Sequence, residues 1–226
     1  GTSNITSAGG DDIFVGKYDT NGNLLWAYSI GGTGTEQNYG FDVGPDNNTV
    51  LYGYFQNTVD FNPGGGTFNL TAAVGGSNFI LKLNNNGTFN YAVSMGSAYG
   101  NELKIDAANN IYCTGLFWST VDFDPGVATY NLTAAGFTND SYIQKLSPTG
   151  GFLWAGKFSS SLADQGTCIA IDNINNTVSV GGFFEGTIDA DPGIGTANIA
   201  SGGYVDAYVI NLNASTGNYN WGKSFS

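Results

Sequence analysis

The chain repeats itself. The segment NITSA at 4–8 returns as NLTAA at 69–73, NLTAA at 131–135 and NIASG at 198–202, so Asn4, Asn69, Asn131 and Asn198 mark copies 65, 62 and 67 residues apart. A repeat of this kind constrains the fold more than any single motif. Each copy is one supersecondary unit, and a unit too small to bury its own faces must stack on its neighbours.

After each marker comes a run of strand-forming residues, a turn, and a second run. The copies read IFVGKYDTNGNLLWAYSI (13–30), FILKLNNNGTFNYAVSM (79–95), YIQKLSPTGGFLWAGKF (142–158) and YVINLNASTGNYNWGKSF (208–225). Runs of β-branched and aromatic residues around Asn, Gly, Ser or Pro predict β-hairpins. A second hairpin follows in three copies: VGPDNNTVLYG (43–53), IDAANNIYCTG (105–115) and IDNINNTVSVG (171–181). Aligned without gaps, these place Asn47-Asn48, Asn109-Asn110 and Asn175-Asn176 at the turn, where Asn accepts positive φ. The same alignment puts Gly53, Gly115 and Gly181 at one position, a glycine in a strand marking a bulge or a close backbone approach. The 35 glycines among many Asn, Thr and Ser residues are turn chemistry, and nothing in the composition favours helix.

The expectation is an all-β fold: a β-propeller-like array of about 3.5 four-stranded repeats with a period of 62–67 residues, either open or part of a larger propeller. It is a single repeat array over 1–226, with half a unit at 1–40 and units at 41–102, 103–165 and 166–226. Four copies of the first hairpin against three of the second leave unmatched strands, and unmatched strand edges recruit partners. Other copies of this chain, or other repeats of a longer chain, are the expected partners.

The residues of IDAANNIYCTG, of FILKL and YIQKL, and of GGFLWA resemble the bacterial β-propeller repeat called SBBP. Asp106, Asn110, Tyr112, Gly115, Lys82, Lys145 and Trp154 fall on its pattern. The intervening TVDFDPGVATYNLTA resembles a variant found in large secreted proteins of Bacteroidetes-like bacteria. The resemblance implies an extracellular or cell-surface location and no general catalytic motif.

Charge removes several function classes. Six lysines with no arginine or histidine oppose 18 acids, for a net charge of -12. Binding nucleic acid releases counterions through cationic side chains, which this chain does not supply. Without histidine there is no Ser-His-Asp triad and no zinc-histidine site. No apolar run is long enough for a spanning helix, so membrane insertion is not expected. No secretory leader pattern opens the sequence, which fits a removed leader or a piece of a longer chain. Cys113 and Cys168 fall in strand-like segments, and their spacing leaves a disulfide open.

Three groups of residues are candidate sites. The phrases TVDFNPGGGTFNLT (58–71), TVDFDPGVATYNLT (120–133) and TIDADPGIGTANIA (187–200) each carry an Asx-Pro or Asx-x-Asx-Pro core. Asp122 and Asp124 share one face of a strand and form the best metal candidate, for Ca²⁺, and no other cofactor is expected. Asx before Pro-Gly is also ordinary turn chemistry, and that reading takes precedence because Asn62 replaces one carboxylate in the first copy. The second group is Lys17, Lys82 and Lys145 with the aromatics Trp26, Tyr91, Trp154 and Trp221. The lysines read as strand-face cations paired with a repeat Asp, and the aromatics as packing between sheets. The third is Trp118, a lone aromatic at a loop edge, where a glycan or protein ligand can make contact. Paired acids that recur in every unit argue against a glycosidase, which needs one pair. The expected function is an extracellular structural or adhesive repeat module with no catalytic residues, the alternative being a carbohydrate- or protein-binding domain.

Overall fold

The computed structural model of the chain describes residues 4–136 and 138–226. It contains two compact units, Gly1–Ser97 and Ala98–Ser226. All of their regular elements among the described residues are strands.

The first unit begins with a hairpin of β1 (Ile13–Tyr18) and β2 (Leu24–Ile30). There follow β3 (Gln37–Val43), β4 (Thr49–Phe55), β5 (Thr58–Asp60), β6 (Asn69–Thr71), β7 (Ser77–Leu83) and β8 (Phe89–Met95). Strands β3-β4-β7-β8 form one antiparallel sheet in that order, while β5 and β6 pair only with each other. The hairpin packs on the sheet through one cluster that includes Ile13, Ile30, Leu51, Phe79 and Leu81.

The second unit holds β9 (Tyr99–Ile105), β10 (Ile111–Phe117), β11 (Thr120–Asp122), β12 (Asn131–Thr133), β13 (Asp140–Leu146) and β14 (Phe152–Phe158). Beyond them lie β15 (Asp164–Asp172), β16 (Thr177–Phe184), β17 (Thr187–Asp189), β18 (Asn198–Ala200), β19 (Asp206–Asn213) and β20 (Tyr219–Phe225). Sheets β9-β10-β13-β14 and β15-β16-β19-β20 repeat the order of the first unit. They stack through Tyr112, Ile143, Phe158, Ile169, Val180 and Tyr208, all buried. Strands β7 and β13 are buried on both faces along their whole length, which is why FILKL and YIQKL are nearly continuous apolar runs.

Each four-stranded sheet joins the second type of hairpin to the first type, and the phrase that opens TVDF or TIDA connects them. It forms its own small hairpin, β5-β6, β11-β12 or β17-β18. Its alternate residues Val59 and Phe61, Val121 and Phe123, and Ile188 and Ala190 are buried. The Phe61 ring lies 4.8 Å from Phe79 and the Phe123 ring 4.9 Å from Tyr142. Each such phenylalanine contributes roughly 1.5–3 kcal/mol of burial, so the connector belongs to the core it leads into.

The gapless alignment of the second hairpins does not hold in the third. Pairing runs Val43 to Thr49 and Ile105 to Ile111, but Ile171 to Val178. The third hairpin therefore carries one more residue between the equivalent pairs, and its strands pair one step further, Asp172 to Thr177. Positive φ falls on Asn47 and Asn109, two residues before pairing begins at Thr49 and Ile111, and on Asn176, one residue before it begins at Thr177. Downstream, the structural counterpart of Gly53 and Gly115 is Gly182, not Gly181. A Cβ on Gly53, Gly115 or Gly182 would collide with the carbonyl oxygen of Gln37, Tyr99 or Gln165 respectively. The cause is a bulge beside each glycine, where the register steps past Tyr39, Asn101 or Thr167 and the two backbones come close together.

Candidate functional site

The Asx residues of the connector organise its turn. Asp122 Oδ1 accepts from the backbone N–H of Asp124 at 3.0 Å and of Tyr130 at 2.8 Å. Asp60 and Asp189 accept from the corresponding amides, Asn62 and Phe68 in one copy and Asp191 and Ala197 in the other. The next Asx does the same for the turn glycine: Asp124 Oδ1 accepts from Gly126 N at 2.7 Å, Asn62 from Gly64 and Asp191 from Gly193. Carboxamide and carboxylate serve equally because a backbone N–H needs only an acceptor. Strand β11 ends at Asp122, so Asp124 lies in the turn beyond it. The Oδ1 atoms of both candidate metal ligands thus hold backbone donors. Among the described residues no group of three or more His, Cys, Asp or Glu side chains gathers as a metal cluster.

The lysines and aromatics form one device. Lys17 pairs across the hairpin with Trp26, Lys82 with Tyr91, Lys145 with Trp154 and Asn211 with Trp221, each beside a bulge. Cross-strand partners share a face. In the first unit Trp26 Nε1 and Lys17 Nζ both donate to the carbonyl of Asn85, at 3.3 and 3.1 Å. In the second, Trp154 Nε1 and Lys145 Nζ both donate to Ala214 O, at 3.2 and 2.8 Å. Lys82 forms an ion pair with Asp46 at 2.7 Å. Lys145 lies 3.8 Å from Asp106 and 4.9 Å from the centre of the Tyr112 ring. Burial lowers the pKa of Lys145, and the Asp106 carboxylate opposes that shift. These cations hold neighbouring turns together, as a paired strand-face lysine should.

The Lys145 group lines a polar cavity of about 280 Å³ with Asp106, Tyr112, Asp172, Asn176 and Ser215. Its acids are occupied in turns: Asp106 accepts from Ala108 and Asn110, and Asp172 from Ile174 and Asn175. Tyr112 O–H donates to Asp106 and to Ala214 O, both at 3.3 Å.

Trp118 is 47% exposed, and its ring centre lies 5.2 Å from that of Tyr99, itself 51% exposed. Sequence reasoning singled out Trp118 and missed Tyr99. The signal was the antiparallel register, which sets Tyr99 opposite Leu116 and so brings it to the same sheet edge.

Buried acids form the other group missed from sequence. Asp164 accepts from Ser160 N at 2.6 Å and from Ser160 Oγ at 3.1 Å. Burial pushes its carboxyl up to about 7 against those bonds, and the charges of Asp140 and Glu185 add to the rise. Asp140 accepts from Ala135 N and from Lys157 Nζ, and burial raises its pKa also. Glu36 is buried in the first unit with the same upward shift, again from desolvation, while accepting from Gly32 N. The two cysteines are free, Cys113 buried and Cys168 exposed.

No family model matches the chain. An uncharacterized WD repeat-containing protein, L264 of Acanthamoeba polyphaga mimivirus, is 27% identical over an alignment of 206 residues that covers 81% of this chain and 15% of that protein. The chain thus spans about 15% of the length of this relative. Together with the recurring four-stranded antiparallel sheets, this decides the architecture. The chain is a β-propeller-like repeat array. A crystal structure of a protein of unknown function from Bacteroides caccae aligns over 91% of the chain and 73% of its own length, with 10% identity and a TM-score of 0.35.

Proposed function

We propose that the chain is a non-catalytic structural and adhesive module of the SBBP type, working outside the cell or on its surface. It holds loops on stacked sheets and associates with further copies of itself or with other repeats of a longer chain. The observation that carries this reading is the use made of its polar groups. The recurring Asp, Lys and Trp side chains bond turns and neighbouring sheets, while large apolar side chains such as Phe14, Tyr18, Trp221 and Phe225 stay exposed on outer hairpins. Exposed apolar surface of this kind marks interaction sites. Sedimentation velocity over a wide concentration range tests the reading: mass rising with concentration is expected, and a strictly monomeric folded species at every concentration would overturn association.

A second reading is favoured by the Trp118–Tyr99 pair, two exposed rings on one edge that suit a sugar or a protein side chain. Under it the chain is a carbohydrate- or protein-binding domain, with Ca²⁺ at Asp122 and Asp124 as an added stabiliser. A glycan array separates the two, since a pure scaffold binds no glycan and a binding domain loses its signal in Trp118→Ala. Melting with calcium and with a chelator tests the ion: a bound structural Ca²⁺ raises the Tm, and turn bonding alone leaves it unchanged.

A further inference from the structure

Lys17 and Lys145 hold equivalent turns with one difference. Each ammonium donates to the carbonyl of the residue after the first turn position, Asn85 in the first unit and Ala214 in the second. In the first unit the Asn85 side chain adds an acceptor, because its Oδ1 also takes a hydrogen bond from Lys17 Nζ. Ala214 offers only a methyl at that point. Lys145 is buried, and its Nζ lies 3.8 Å from Asp106 Oδ2, too far for a direct hydrogen bond. Its three N–H donors therefore share one short bond, to Ala214 O at 2.8 Å.

The cavity of about 280 Å³ opens at this place, between two complete sheets, β9-β10-β13-β14 and β15-β16-β19-β20. Drug-sized sites run from about 300 to 1,000 Å³, so this one admits a single small ring rather than a chain. Ile171 and the methyl of Ala214 give it an apolar wall. Asn173 and Asn176 line it as well. Their side-chain oxygens accept from Ala107 N at 2.9 Å and from Ser215 Oγ at 3.1 Å, which leaves the carboxamide N–H groups as donors.

We propose that this cavity binds one neutral sugar ring, with a hydroxyl of the ring bridging Lys145 Nζ and Asp106 Oδ2. The charges of the lining select the class. One ammonium, Lys145, stands against two carboxylates, Asp106 and Asp172, so an anion meets net negative charge. A metal ion would have to displace the turn amides that hold both acids, and would lie beside the Lys145 charge. An apolar ligand would leave the buried ammonium donors unmet. A hydroxyl accepts from the ammonium and donates to the carboxylate, and a gap between polar groups beyond about 3.5 Å is one that an intervening oxygen spans. The C–H face of the ring then lies on Ile171 and Ala214. The site is distinct from the Trp118–Tyr99 edge: Tyr99 opens β9 and Asp106 follows its last residue, which separates them by roughly 20–25 Å. It is also independent of the association proposed above.

Isothermal titration calorimetry on the full chain tests the site. The neutral probes are the methyl glycosides of glucose, galactose, mannose and N-acetylglucosamine, each titrated to its solubility, and glucuronate is the charged one. Lys145→Met is the obvious variant, but it leaves Asp106 buried without its cation and endangers the fold. Ala214→Asn instead copies the Asn85 arrangement, setting a carboxamide against Lys145 where the hydroxyl would bind. Ser215→Phe, at an exposed position on the lining, obstructs the cavity without touching Lys145. Melting curves establish that both are folded. At least one neutral glycoside is expected to bind the wild type, glucuronate to bind more weakly, and each variant to lose at least about tenfold in affinity. No binding of any of the four glycosides overturns the proposal, and so does equal binding by the wild type and the folded variants. A preference for glucuronate overturns the neutral class. Binding lost in Trp118→Ala and kept in Ala214→Asn moves the sugar to the aromatic edge and overturns this site.

Discussion

Asp164 is 1% exposed, and its nearest donors are the amide and hydroxyl of Ser160. Two hydrogen bonds do not offset the cost of removing a carboxylate from water, so the group holds its proton up to about 7 in the folded chain, against 3.8 for an ordinary Asp. The folded state therefore binds that proton more tightly than the unfolded chain. Its contribution to stability is full below 3.8, is lost as the pH rises towards about 7, and is level above that. Asp164→Asn keeps an oxygen for Ser160 and has no charge to bury. The expected result is a Tm advantage of the variant over the wild type that grows from pH 4 to about 7 and then stays constant; an advantage independent of pH would remove desolvation as the cause. Glu36 and Asp140 shift the same way but are present in both proteins and largely cancel. None of these acids announces itself in sequence, because burial of a carboxylate depends on what packs over it. The Asx residues of the connector are the opposite case: Asp122 and Asp124 accept from amides within eight residues, so their turn role was legible from spacing alone.

At the scale of the strand, the repeated bulge is the feature with most consequence. It sets Gly53, Gly115 and Gly182 against a facing carbonyl, and a second bulge sets each Lys or Asn opposite its Trp or Tyr. The hairpins themselves were legible, since their turn residues and apolar runs are local. The register of the third was not. Its extra residue moves the bulge position to Gly182, while a gapless alignment stops at the adjacent Gly181. Gly182→Ala drives a methyl into the Gln165 carbonyl and is expected to cost about 1–3 kcal/mol or more. Gly181→Ala meets chiefly Cys168 Sγ, at 2.7 Å, the movable end of an exposed side chain, and costs less. Urea denaturation of the two variants ranks them; the reverse order would restore Gly181 as the counterpart of Gly115.

Over the whole molecule, a net charge of -12 sets copies against one another. The association proposed above runs through exposed apolar side chains such as Phe14 and Phe225 and must overcome that repulsion. The Debye length falls from about 30 Å at 0.01 M salt to about 8 Å at 0.15 M. Sedimentation is therefore expected to show stronger association as salt rises, and stronger association at low salt would point instead to complementary charges. What the sequence by itself determined is the repeated plan: all strands, two hairpin types, an Asx-Pro connector between them, and the copies of each. All of these follow from interactions within one hairpin or one turn. The tertiary structure alone decided that Lys145 and Trp154 grip one carbonyl 60 residues or more away, and that Tyr99 joins Trp118. Those outcomes depend on which sheet lies against which, and stacking is set by the summed shape of whole faces, which no single repeat encodes.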